Sequence, residues 1–329
     1  MAGIGVLKFN LKIKIMKKRT IEKVLQTKFS DFISSIKDEK VKELVTKNSF
    51  ISGGCIVSML LKEKVHDYDI YFTDKETVLA VSKYYASLFK KAKAEVVDVD
   101  SIEDETKRTY FQLHGISGTG RVAIYCEATN QVSPSDFDND EDQVEELSSV
   151  ILKEKDEDEE GNEKYSPLYL SPNAISLSNK IQLIIRFYGS PEDVHVNYDF
   201  VHTTNYWTPK NGLILNQAAL ESILTKELIY IGSKYPIASI LRCRKFIMRG
   251  WTINAGQLLK IMYQISKLNL DDIATLEDQL IGVDVVHFTI LINAIRSQIE
   301  KYEKENTPFL ISYNYLAKII DKVFNSNEG

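Results

Sequence analysis

Two aspartates one residue apart, Asp67 and Asp69, follow a glycine pair, Gly53-Gly54, in the stretch FISGGCIVSMLLKEKVHDYDIYF over residues 50–72. In an extended strand, positions i and i+2 face the same side, so both carboxylates project together while Tyr68 points away. Two such charges about 4 Å apart repel by about 4 kcal/mol at an effective dielectric of 20. The pair is tolerable where one acid is protonated or a cation sits between them. Mg²⁺ suits that place, because it takes oxygen ligands, commonly one or two carboxylates plus substrate phosphates. Two such ions can activate an attacking oxygen and steady a leaving pyrophosphate. The glycines supply the complementary half: without Cβ atoms the backbone approaches a ligand closely, and the helix N-terminus behind them can hold phosphate. Taken as an ordered unit, strand, glycine turn, helix and Asp-x-Asp strand set a phosphate cradle beside a metal site. Taken singly, the pieces are a surface turn and two solvated aspartates.

The elements that must position these residues are legible from apolar spacing. Residues 20–47 carry a helical pattern, Phe50-Ile51 a short strand, CIVSMLLKEK a helix and residues 68–72 a strand. KETVLAVSKYYASLFKKAK is an amphipathic helix, and AEVVDVD and RVAIYCEA are strands. KIQLIIRFYG and VNYDFVHTTNY read as strands separated by a turn at SPED, and the alternating segment LKFNLKIKI near the start suggests another. From about residue 214 the pattern is helical, through NQAALESILTKEL, IASILRCRKFIMR, AGQLLKIMYQISKL and VDVVHFTILINAIRSQIEKYEKE. The predicted organisation is an N-terminal extension over 1–47, an α+β catalytic unit over 48–206, and a helical unit over 207–329.

Composition narrows the class. The chain of 329 residues has a formal charge of −5, yet residues 136–163 hold 14 acids against two lysines, a local −12 that leaves +7 for the rest. So dense an acidic run reads as a solvated insertion. The remaining body is mildly basic, which permits a polyanionic partner. No run of 18 apolar residues exists to span a membrane, and the first residues lack a secretory pattern. Three cysteines, Cys55, Cys126 and Cys243, are odd in number and far apart, which argues against disulfides and for a reducing, cytoplasmic setting.

The glycine pair, the Leu-rich helix and Asp-x-Asp together resemble the DNA polymerase β-like nucleotidyltransferase superfamily. More closely, they resemble its bacterial poly(A) polymerases and class II CCA-adding tRNA nucleotidyltransferases. That family carries GGxVRDxLLGRxxxDxDI, and Gly53, Gly54, Ile56, Leu60, Leu61, Asp67, Asp69 and Ile70 fall in register with it. Its Arg-Asp pair is Val57-Ser58 here, and its Gly-Arg is Lys62-Glu63. Asp199-Phe200 stand where the family has RRDFTINAL, with Asn197-Tyr198 replacing both arginines. KELIYIGSKYPIASILRCRKFIMRGW follows the family's next segment, keeping Lys226, Gly232, Pro236, Leu241, Arg242, Phe246, Arg249 and Gly250.

The resemblance implies an α+β nucleotidyltransferase head with a mixed sheet, followed by an all-helical neck and body. It implies an NTP substrate, ATP included, and template-independent transfer of NMP to an acceptor hydroxyl, an RNA 3′ end being favoured. Two Mg²⁺ ions would sit on Asp67 and Asp69, Gly53-Gly54 would cradle the triphosphate, and Asp199 would meet the ribose. Arg242 and Arg249, seven apart on a helix, share a face and could touch phosphate, or could pair with acids. A third carboxylate is open between Glu127, Asp98, Asp100 and Asp199, with Glu127 favoured. The family's base-reading EDxxR is absent, so no base preference carries over. Two other readings stand beside this one: transfer to a protein or small molecule, and a nucleotidyltransferase fold kept only for binding.

Overall fold

The computed structural model describes residues 16–90, 93–113, 118–126 and 164–270, with scattered positions beyond. Two helices open the described chain, α1 (Lys18–Ser35) and α2 (Glu39–Lys47). The single helical stretch expected over 20–47 divides at Ile36–Asp38, where Asp38 caps α2 by accepting from the Val41 amide at 3.0 Å. In α1 the apolar residues Ile21, Leu25, Phe29 and Phe32 recur at helical spacing and are all buried.

There follow β1 (Ser49–Ser52), α3 (Gly54–Leu61), β2 (Tyr68–Phe72) and α4 (Lys75–Leu88). Next come β3 (Ala94–Asp98), α5 (Glu105–Leu113) and β4 (Val122–Cys126). Three further strands are β5 (Pro167–Leu170), β6 (Ala174–Leu177) and β7 (Ile181–Tyr188). A short helix α6 (Pro191–His195) precedes β8 (Tyr206–Thr208) and β9 (Gly212–Ile214). Helices α7 (Gln217–Thr225), α8 (Pro236–Met248) and α9 (Ala255–Ile265) come last. The molecule is thus α+β, with a mixed sheet, flanking helices and a following run of helices.

The large sheet has seven strands in the order β5-β6-β7-β2-β1-β8-β9, and β3-β4 form a separate antiparallel pair. The central strand β2 lies antiparallel to β1 and parallel to β7. One sheet face buries Ile51, Ile70, Phe72, Leu183, Ile185 and Trp207 in the main core with α1, α3 and α4. The opposite face carries Phe50, Tyr71, Ile184, Phe187, Tyr198 and Tyr206, with Val194 of α6 packed on it.

Several expectations are corrected. VNYDFVHTTNY is not a strand: α6 starts inside SPED and a 3-10 turn covers Val201–Thr203. Ser190 and Asp193 form a capping box with Pro191 at the first helical position, and this local chemistry outweighs the β-branched residues downstream. Strands β5 and β6 add an antiparallel pair to the sheet beyond the strands expected from apolar spacing. The sheet also runs on through β8 and β9, so a boundary between 206 and 207 cuts a strand paired with β1. The expected first strand, the acidic insertion and the helix over VDVVHFTILINAIRSQIEKYEKE fall wholly or mostly outside the described residues.

Candidate functional site

β1 ends at Ser52, and the chain then turns at Gly53 with φ 90° and ψ −149°, a conformation that side-chain-bearing residues rarely adopt. Gly54 begins α3, and the N-cap residue Gly53 has no side chain of its own to accept from the first-turn N–H groups. Such an end favours an anion. The β1–β2 register places Ser52 opposite Asp69, and Asp69 in turn lies opposite Gln182 of β7. A Cβ on Gly53 would lie 3.3 Å from Asp69 Oδ2 and 3.8 Å from the Tyr198 hydroxyl. The structure therefore brings Gly53, Gly54 and Asp69 to one spot. Asp67 stands one residue before β2, half-buried like Asp69. Between them Tyr68 turns to the other face, where its ring packs on the main core with Lys28 Nζ 5.3 Å away.

Beneath Asp69 lies a small polar network that the sequence did not announce. Ser52 Oγ donates to the Asn205 carbonyl at 3.0 Å and lies 2.9 Å from His195 Nε2. A hydroxyl has one hydrogen to give, so Nε2 carries the proton and donates to Oγ. Burial pushes the His195 pKa down to about 4, with Glu192 opposing the shift, and the ring is neutral at pH 7. Burial, and then the Asp69 charge, likewise push the Cys55 thiol up, so this cysteine is no nucleophile. No local spacing in the sequence signals this network, since the Ser52–His195 contact spans 143 positions.

The other expected residues are elsewhere or otherwise engaged. Asp199 is buried and paired with Arg242, Nη1 to Oδ2 at 2.7 Å. Arg249, at the C-terminal cap of α8, donates to Glu63, which Lys226 approaches at 3.8 Å. The glutamate thus stands where the resembled family has arginine and binds one itself. Beside it Lys62 takes the left-handed conformation (φ 59°) at the family's glycine position, so the turn survives without the glycine. Asp98 and Asp100 both meet Lys75 at 2.7 Å, at the far end of β2 from Asp69. Gly120 donates its amide to Asp100 at 2.9 Å. Glu127 lies outside the described residues. His202 is fully buried among Phe200, Phe246 and Trp251. Trp207 packs on Phe29 in the core, at 5.3 Å.

No group of three His, Cys, Asp or Glu side chains among the described residues could hold a metal ion. Mg²⁺ needs only one or two protein carboxylates, completing its shell with water and phosphate oxygens, and Asp69 beside the Gly53 turn is a carboxylate of that kind. No described helix is long and apolar enough to cross a membrane.

No curated protein matches the chain. Among solved structures it is similar to the Thermotoga maritima CCA-adding enzyme complexed with tRNA-CCA, at 11% identity and a TM-score of 0.36, over 90% of this chain and 67% of that one. It is also similar to a CCA-adding enzyme in complex with CTP, at 9% identity and a TM-score of 0.36, over 95% of this chain and about half (51%) of that one. At such TM-scores the likeness says nothing of activity. The model of the Gabija anti-defense 2 family matches residues 23–226, more than half of the chain, which therefore belongs to that family.

Proposed function

We propose that the protein is an Mg²⁺-dependent nucleotidyltransferase of the cytoplasm that moves NMP from an NTP to an acceptor hydroxyl, and that this transfer acts against a Gabija defence, as the family's name suggests. The observation that carries the reading is the closeness of Asp69 Oδ2, 3.3 Å from where a Gly53 Cβ would stand, to the glycine-capped start of α3. A carboxylate and an anion-seeking helix end at one spot suit a metal-bound triphosphate better than either suits a bare surface. In the transfer, the acceptor oxygen bonds to the α-phosphorus, the bond to the bridging oxygen breaks, and pyrophosphate leaves. The hydroxyl proton passes to solvent. Asp67 and Asp69 would hold Mg²⁺, which supplies positive charge at the triphosphate and lowers the acceptor hydroxyl's pKa when bound. The favoured acceptor is an RNA 3′ end, on the mildly basic body outside the acidic run.

A second reading keeps nucleotide binding and drops the chemistry. The pairs Asp199–Arg242 and Arg249–Glu63 favour it, since they engage two arginines that would otherwise meet phosphate. Incubation with each of four labelled NTPs, Mg²⁺ and mixed RNA separates the readings. Transfer predicts a labelled RNA ladder that falls to background in Asp67→Ala and Asp69→Ala, with both variants folded. A labelled protein band would move the acceptor to protein. Mg²⁺-dependent NTP binding without incorporation would support the binding reading.

A further inference from the structure

We propose that the phenolic hydroxyl of Tyr198 completes the glycine cradle as a positioning donor, giving its hydrogen bond to a phosphate oxygen of the nucleotide bound between Gly53 and Asp69. This inference rests on the nucleotidyl-transfer reading of the site and names a contact that reading did not include. The Tyr198 oxygen is one of two groups that a Cβ on Gly53 would approach, the other being Asp69 Oδ2. It is buried, and no group stands in hydrogen-bonding geometry to it, although the Ser52 and Tyr71 hydroxyls are near. Buried hydroxyls are normally paired, so an orphan at the mouth of an anion-favouring helix end marks the place of an absent oxygen.

The ring is held for that purpose from several sides. Its centroid lies 4.8 Å from that of His195 and 6.0 Å from that of Tyr71. The Tyr198 amide donates to the His195 carbonyl at 2.9 Å. His195 is fixed by Ser52, and the next residue, Asp199, by Arg242. Burial also raises the phenol's pKa, so the group keeps its proton at neutral pH and has it to donate. Two aromatic hydroxyls on this sheet face differ sharply: that of Tyr206 meets Glu192 at 3.4 Å, away from the glycine turn, while that of Tyr198 is directed at it.

The test is calorimetry of the full chain with Mg²⁺ and each of four α,β-methylene nucleoside triphosphates, and separately with inorganic tripolyphosphate. Tyr198→Phe keeps the ring and removes the hydroxyl. It is expected to weaken the nucleotide that binds, and tripolyphosphate, by about tenfold each, the usual scale for a hydrogen bond to a charged group. Tyr206→Phe is expected to leave both affinities unchanged, and both variants to melt within a few degrees of the native chain. Equal affinity of native and Tyr198→Phe overturns the proposal while sparing the nucleotide site. Absence of binding by the native chain overturns the site reading and the proposal with it. Should Tyr198→Phe not fold, tyrosine ring-carbon resonances of the native protein decide. A Tyr198 signal that shifts on adding Mg²⁺ and the bound nucleotide supports the contact, and an unmoved signal overturns it.

Discussion

At the scale of single residues, the two glycines that look equivalent in the sequence are not. Gly53 holds φ 90°, and a Cβ there would press on Asp69 Oδ2, whereas a Cβ on Gly54 meets nothing within 4 Å. Gly53→Ala should therefore cost about 1–3 kcal/mol of stability, from backbone strain and displacement of the carboxylate, and should weaken nucleotide binding. Gly54→Ala should be neutral or stabilising by up to about 1 kcal/mol, since alanine is the better helix former. Urea unfolding of the two variants checks the contrast, and equal losses would refute it. The pairing of Gly53 with Asp69 was legible in advance, because a strand, a tight turn and a short helix return the chain to the neighbouring strand within about 16 residues. Ser52, His195 and Tyr198 were not. Their meeting depends on β8 and the loop before it coming back to β1, which no local spacing encodes.

At the scale of elements, the segment from Ser190 to Tyr206 shows where pattern reading fails. Its alternating apolar residues suggested a strand, but the capping box winds its start into α6, and Val201–Thr203 form a 3-10 turn that carries His202 inward. His202 is fully buried, and neither ring nitrogen has a partner. Phe246 and Trp251 stand 4.6 and 4.4 Å away, ring to ring. Burial first, and the charge of Arg249 second, lower its pKa to about 3. The unfolded chain would bind a proton here near pH 6.5, while the folded chain would not until about pH 3. Between those values the unfolded state holds more protons, so stability is lost as pH falls, by up to about 1.4 kcal/mol per pH unit. Above pH 6.5 this group contributes no dependence. His195 acts in the same sense down to about pH 4. Urea midpoints at pH 7.5, 6 and 5 for the native chain and for His202→Phe test this. The variant should lose about one proton's worth of slope below pH 6.5, and an unaltered slope would show that the ring titrates freely.

At the scale of the whole molecule, the first helices are structure and not an appendage. Apolar spacing identified the buried face of α1, but spacing cannot say what that face is buried against. The answer is the sheet: Phe29 meets Trp207 of β8, and Phe32 meets Tyr165 just before β5, at 5.8 Å. One continuous buried cluster runs from Ile21 of α1 to Ile261 of α9, taking in β1, β2, β7 and the helices between them. The α1 residues thus share one buried cluster with Ile70 and Phe72 of the strand that carries Asp69. Phe32 is fully buried, whereas Val24, on the outer side of the same helix, is 38% exposed. Phe32→Ala should cost about 3–5 kcal/mol and Val24→Ala less than about 0.5 kcal/mol. Total stability of a globular domain is only about 5–15 kcal/mol. Removing residues 1–47 altogether should therefore leave a chain without a cooperative unfolding transition. The measurement is urea unfolding followed by tryptophan emission, since Trp207 lies against Phe29 and reports the docking of α1 directly. If the shortened chain unfolded cooperatively with the native midpoint, α1 and α2 would be an independent extension, and the sheet would need some other cover for its inner face.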